Sequence, residues 1–162
     1  MPRTALIIEV PEAEPAVGAL RLAHDSSAAR GVPAHVTILS PFADGAVVDE
    51  ARLAELFARF PPFDFVLDRV ERFEDGVTWL RPEPALRFAD LTAAVWQQWP
   101  EHPPYEGAHD EVIPHLTVSE TPIDVAAALP IAARATAVTL IEEREEDGRW
   151  TTRRRFPLQG VA

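Results

Sequence analysis

Cysteine is absent from the 162-residue chain, which excludes disulfides and thiolate chemistry. Lysine and asparagine are absent too, so all 15 basic side chains are arginines. No apolar stretch approaches the length of a membrane span. The start, Met1-Pro2-Arg3-Thr4 and a short apolar run, has no long hydrophobic region or small-residue cleavage site of a secretory signal. A cytoplasmic protein without a membrane partner is therefore expected. Positive charge is scarce: 26 acidic residues set a net charge of -11. Stable duplex nucleic acid binding wants a basic surface, so such a partner is not expected. A small anionic substrate stays compatible, because a local pocket can oppose the global field. There is no Gly-x-Ser-x-Gly nucleophile elbow and no phosphate-binding Gly-rich loop. What is present is ordinary for a globular chain, with 47% hydrophobic and 25% charged residues. The length suits one domain over residues 1–162, built as two lobes and expected to be monomeric.

Hydrophobic periodicity divides the chain into short strands and helices. Strands are expected at Thr4–Val10, Ala34–Leu39, Phe63–Arg72, Val77–Arg81, Val112–Ser119, Ala135–Arg144 and Arg149–Leu158. Helices are expected at Pro15–Arg30, Asp49–Phe60, Glu83–Trp99 and Ile123–Leu129, with a proline-rich loop from Pro100 to Gly107. Asp75-Gly76 and Asp147-Gly148 sit between strands as hairpin turns. Strands, hairpins and helices mixed in this way define an α+β fold.

One pattern occurs twice. His35-Val36-Thr37-Ile38 and His115-Leu116-Thr117-Val118 both lie on expected strands. In a strand, residues i and i+2 share a face. His35 and Thr37 thus project together, with Val36 and Ile38 behind them, and the second motif behaves alike. With 5 His in the chain, a chance His-x-Thr triplet arises in only about a third of shuffled sequences, and two with apolar spacers are far rarer. Paired imidazoles and hydroxyls suit general acid-base phosphoryl transfer. A neutral imidazole takes a proton from water, and an imidazolium gives one to the departing oxygen. The hydroxyls donate to non-bridging phosphate oxygens. The pattern leaves open which His is acid and which is base.

At these residues the chain resembles the 2H phosphoesterase superfamily, which includes 2′-5′ RNA ligase-like proteins and cyclic nucleotide phosphodiesterases. Ser40-Pro41-Phe42 and the Pro103-Pro104-Tyr105-Glu106-Gly107 loop look like its smaller bacterial members. The resemblance implies two pseudo-symmetric antiparallel sheets backed by helices, with a central cleft carrying both motifs. It implies hydrolysis of 2′,3′-cyclic or related phosphates on nucleotides or RNA ends, with no cofactor and no metal. Two alternatives stay open: a 2′-5′ ligase or end-processing enzyme, and a catalytically idle nucleotide-binding module.

Phe42 and Tyr105 flank the motifs and are candidates to stack on substrate. Arg81 is a candidate phosphate contact, with a surface salt bridge as the plainer reading. Trp79 reads as core. The Arg153-Arg154-Arg155 run reads as a solvated strand edge. His102, His109, Asp110 and His115 have irregular spacing across a proline-rich loop, which does not suit a metal.

Overall fold

The computed structural model describes residues 2–108 and 112–162. The first lobe begins with β1 (Thr4–Glu9), α1 (Glu14–His24), α2 (Ser26–Ala29) and β2 (His35–Leu39). After α3 (Glu50–Ala58) come β3 (Phe63–Arg72), β4 (Thr78–Glu83), α4 (Leu86–Gln98) and β5 (Leu116–Ser119). The chain ends with β6 (Ile131–Ala135), β7 (Ala137–Glu143) and β8 (Trp150–Pro157). Two four-stranded sheets result, in the orders β2-β1-β7-β8 and β5-β4-β3-β6. Every pairing is antiparallel. The α+β, two-sheet architecture expected from the sequence is therefore present.

The two sheets correspond strand for strand. The unit β1–helix–β2 matches β4–α4–β5, and in each the strand of the His-x-Thr motif occupies a sheet edge. β2 and β5 contact each other, so the two motif-bearing edges meet. The helices are exchanged: α1 packs on β5 and α4 packs on β2. Thr92 of α4 fastens this arrangement, its hydroxyl donating to the Ile38 carbonyl at 2.6 Å. One apolar cluster runs through both sheets, from Leu6, Val36 and Ile38 to Leu67, Leu80, Leu116 and Val118. Phe63, Phe65 and Leu67 alternate into it along β3, as their period of two requires.

Several boundaries differ from those the sequence suggests. The helix expected to run from Pro15 to Arg30 breaks at Asp25, whose extended backbone and side chain cap α2 at Ser27. α4 starts at Leu86, because Glu83 still belongs to β4. The strand expected from Val112 pairs only from Leu116, after Pro114, which has no backbone N–H to give a ladder. The Ile123–Leu129 helix is reduced to a 3-10 turn at Ala126–Ala128. The strand expected at Ala135–Arg144 is two strands in different sheets. Alanine-rich β6 pairs with β3, and after Thr136 the chain enters β7 beside β1. Weak β propensity in Ile131-Ala132-Ala133-Arg134-Ala135 hides that strand from a local reading. Among the described residues, no helix is long and apolar enough to cross a membrane.

Candidate active site

β2 presents the first motif. Val36 and Ile38 are fully buried, while His35 and Thr37 stand half-buried on the opposite face. Across the ladder, Glu9 lies opposite His35 and Ile7 opposite Thr37. β5 presents the second motif. Leu116 and Val118 are fully buried, Thr117 is half-buried opposite Trp79, and His115 immediately precedes the strand. Burying four aliphatic side chains stabilises the two edges by roughly 1.5–3 kcal/mol each. It also leaves the polar members no face but the one they occupy.

Both imidazoles are anchored in the same way. His35 Nδ1 lies 2.8 Å from the Pro33 carbonyl oxygen, and His115 Nδ1 lies 2.6 Å from that of Ile113. Each partner is two residues upstream. A carbonyl oxygen only accepts, so Nδ1 carries the proton in both rings. When either ring is neutral its lone pair is therefore on Nε2.

The electrostatics at His35 favour the neutral ring. Burial pushes its pKa from 6.5 down to about 4. The hydrogen bond to Pro33 opposes that fall; the charge of Arg21 adds to it, that of Asp25 opposes it, and that of His115 adds to it. The two histidines therefore sense one another. Arg21 belongs to a buried ion pair, its Nη2 3.2 Å from Asp25 Oδ2 with side chains 2% and 6% exposed. Its Nη1 donates to the Val32 carbonyl at 3.0 Å, fixing the turn from which His35 emerges.

A pocket of about 540 Å³ opens beside the second motif. Phe73, Val77, Tyr105 and Ile113 give it apolar walls, His115 and Thr117 its chemistry, and Glu74 and Asp75 an acidic side. Its size falls within the range of small-ligand sites. Phe73 stacks on Trp79 at 4.8 Å and meets His115 edge-on at 5.1 Å, so the aromatic wall also supports the imidazole. Tyr105 joins the pocket to the first motif. Its phenol hydrogen-bonds the Thr37 side chain, and burial raises its pKa. Its backbone N–H donates to the Ser40 carbonyl at 2.8 Å. Tyr105 and Glu106 both have left-handed backbones, with φ of 52° and 56°. Such strain in non-glycine residues persists only where surroundings impose it, and it concentrates at functional sites.

Residues 9–154 match the family described as the 2′-5′ RNA ligase superfamily, and the chain belongs to it. Solved structures agree in fold. E. coli LigT complexed with 3′-AMP superimposes with a TM-score of 0.67 at 20% identity, over 98% of this chain and 99% of that one. A protein described only as a phosphoesterase gives 0.65 at 20% identity, over 98% and 99%. TT0787 of Thermus thermophilus gives 0.62 at 20% identity, over 99% and 100%. No curated protein matches the chain by sequence.

The remaining candidates divide. Tyr105 lines the pocket. Phe42, expected to stack on substrate, is instead core: it is 6% exposed and packs edge-on against Trp99 and His102, both at 5.5 Å. Its backbone N–H donates to the Thr4 carbonyl at 2.9 Å, which turns it inward after Pro41. Arg81 does not line the pocket; it is half-buried on β4, opposite Arg69. Trp79 is buried at 4% exposure, as expected for core. The arginine run lies on β8, an outer strand, where Arg153, Arg154 and Arg155 all pair with glutamates. His109 and Asp110 of the rejected metal reading lie outside the described residues. Among those described, no group of three or more His, Asp or Glu could hold a metal. Phe73, Glu74, Asp75, Val77 and Ile113 are not legible as site residues in the sequence. The Asp75-Gly76 turn marks a hairpin tip but not what the tip faces.

Proposed function

We propose that the protein hydrolyses 2′,3′-cyclic phosphates on nucleotides or RNA ends, through His35 and His115 as base and acid. The observation carrying this reading is the twin anchoring of the imidazoles, each with Nδ1 held by the carbonyl two residues upstream. That leaves two Nε2 atoms for proton transfer on edges that meet. His35, held neutral by burial, suits the base. It takes a proton from water as the water oxygen attacks phosphorus. His115 as imidazolium protonates the ribose oxygen as its bond to phosphorus breaks. Thr37 and Thr117 donate to the non-bridging oxygens and hold their charge through the transition state. Tyr105 orients the Thr37 hydroxyl, and the pocket's apolar walls seat the nucleoside. No step calls for a metal.

The same groups serve the reverse reaction with roles exchanged. Joining through a 2′-5′ linkage is thus the second reading, favoured by the matching arrangement of the two motifs. Hydrolysis of 2′,3′-cyclic nucleotides by wild type, His35→Ala and His115→Ala tests the proposal. Each variant should lose at least about 100-fold in kcat, the usual worth of acid-base catalysis. Excess chelator should leave wild type unaffected. Full activity in either variant would sink the mechanism, and tight nucleotide binding without turnover would replace it with a binding module.

A further inference from the structure

We propose that Arg69 and Arg81 form a second anion subsite beside the catalytic groups, for a phosphate one nucleoside away from the reacting one. The inference rests on the reading of the cleft as a cyclic phosphodiesterase site.

Residues directly opposite one another in an antiparallel pair share a face. Trp79 lies opposite Thr117, so the β4 residues on that face include Trp79 and, two positions on, Arg81. Arg81 in turn lies opposite Arg69 of β3. Both guanidinium groups therefore stand on the face that carries Thr117. The step from the Trp79 row to the Arg81 row is two residues, roughly 7 Å. The row of arginines is thus one step along β4 from the Trp79–Thr117 pair, on the His115 side of it.

Charge makes the pair informative. Like charges directly opposite on a sheet repel. In a chain with 26 acidic residues, carboxylates could have closed on both. Among the described residues the Arg81 guanidinium has no hydrogen-bond or ion-pair partner, although the residue is half-buried. Arg69 has one carboxylate contact, Glu71 at 3.8 Å, too long for a hydrogen bond. An anion bridging the two would replace repulsion by charge-assisted hydrogen bonds, for which the planar guanidinium is well shaped. The aromatic pocket, with Glu74 and Asp75 at its side, offers no such place for a second negative group. The subsite thus gives the substrate a direction: nucleoside toward the hairpin tip, further phosphate toward Arg69 and Arg81. A terminal 5′-phosphate and an internal phosphodiester present the same chemistry there.

The test compares three substrates: adenosine 2′,3′-cyclic phosphate, the same compound with a 5′-phosphate, and the dinucleotide ApA ending in a 2′,3′-cyclic phosphate. In wild type the second phosphate should lower KM about tenfold, equivalent to about 1.4 kcal/mol. In the Arg69→Gln/Arg81→Gln double variant the ratio between substrates should collapse toward one. A gain with the 5′-phosphate alone assigns the subsite to a chain end; a gain with ApA as well assigns it to a phosphodiester. Equal KM values in wild type, or a ratio that survives in the double variant, would overturn the subsite. If wild type turns over none of the three, the phosphodiesterase reading fails, and calorimetry decides the subsite alone. Adenosine 3′,5′-bisphosphate should then bind more tightly than 3′-AMP in wild type but not in the double variant. Equal binding there would overturn it.

Discussion

Protonation of His35 in the empty site offers a direct measurement of the electrostatics proposed for catalysis. Its pKa is lowered from 6.5 to about 4, first by burial, with the Arg21 and His115 charges assisting. At pH 7 only about one ring in a thousand would then be charged. The difference corresponds to about 3 kcal/mol, an upper figure because some solvent reaches the half-buried ring. Its sign follows from linkage. Between pH 6.5 and 4 the unfolded chain binds a proton at His35 that the folded chain does not. The contribution is therefore fully present above about pH 6.5 and is lost as pH falls through about 4. NMR titration of the histidine ring protons, assigned with His35→Gln, reads the midpoint directly. Arg21→Gln should move it upward, because Arg21 lowers it. Bound inorganic phosphate should also move it upward by supplying the opposite charge. Thermal unfolding of wild type should weaken between pH 6.5 and 4 relative to His35→Gln. A midpoint between 6 and 7 in the empty protein would refute both the desolvation argument and the assignment of His35 as base.

Two further outcomes follow from named contacts. Asp25→Ala leaves the Arg21 charge buried and unpaired, which should cost about 3–5 kcal/mol in urea unfolding; a loss below 1 kcal/mol would mean water reaches the guanidinium. Tyr105→Phe keeps the pocket wall but removes the hydrogen bond to Thr37, so kcat should fall about tenfold with KM nearly unchanged; an unchanged kcat would remove Tyr105 from the positioning of that hydroxyl.

Legibility from sequence varies with how local the cause is. β3 can be read with correct ends because Phe63, Phe65 and Leu67 alternate with polar residues and Pro61-Pro62 precedes them. The break at Asp25 is hidden because helical periodicity continues past it, while the cap depends on a side chain folding back. β6 is hidden because alanines carry little strand preference, and its partner β3 is distant in sequence. In the site, the His and Thr positions can be read from alternation alone. Phe42 looks like a ligand contact by its nearness to the first motif, yet a backbone hydrogen bond to Thr4 turns it into the core. Phe73 gives no signal, since its position against His115 depends on how the β3–β4 hairpin folds over β5.

By itself, the sequence determined the two polar pairs, His35 with Thr37 and His115 with Thr117. A strand's period of two is a local property of the backbone, and it separates those residues from the aliphatics between them. The resemblance to the family rests on the same residues. Tertiary structure alone decided the rest. It brought the two motif edges together and exchanged the helices behind them. It buried the His35 ring, with the Arg21 charge assisting, so that an imidazole of ordinary pKa becomes one held neutral. It also set Arg81 opposite Arg69. These outcomes depend on register and on long-range packing, which no local pattern encodes.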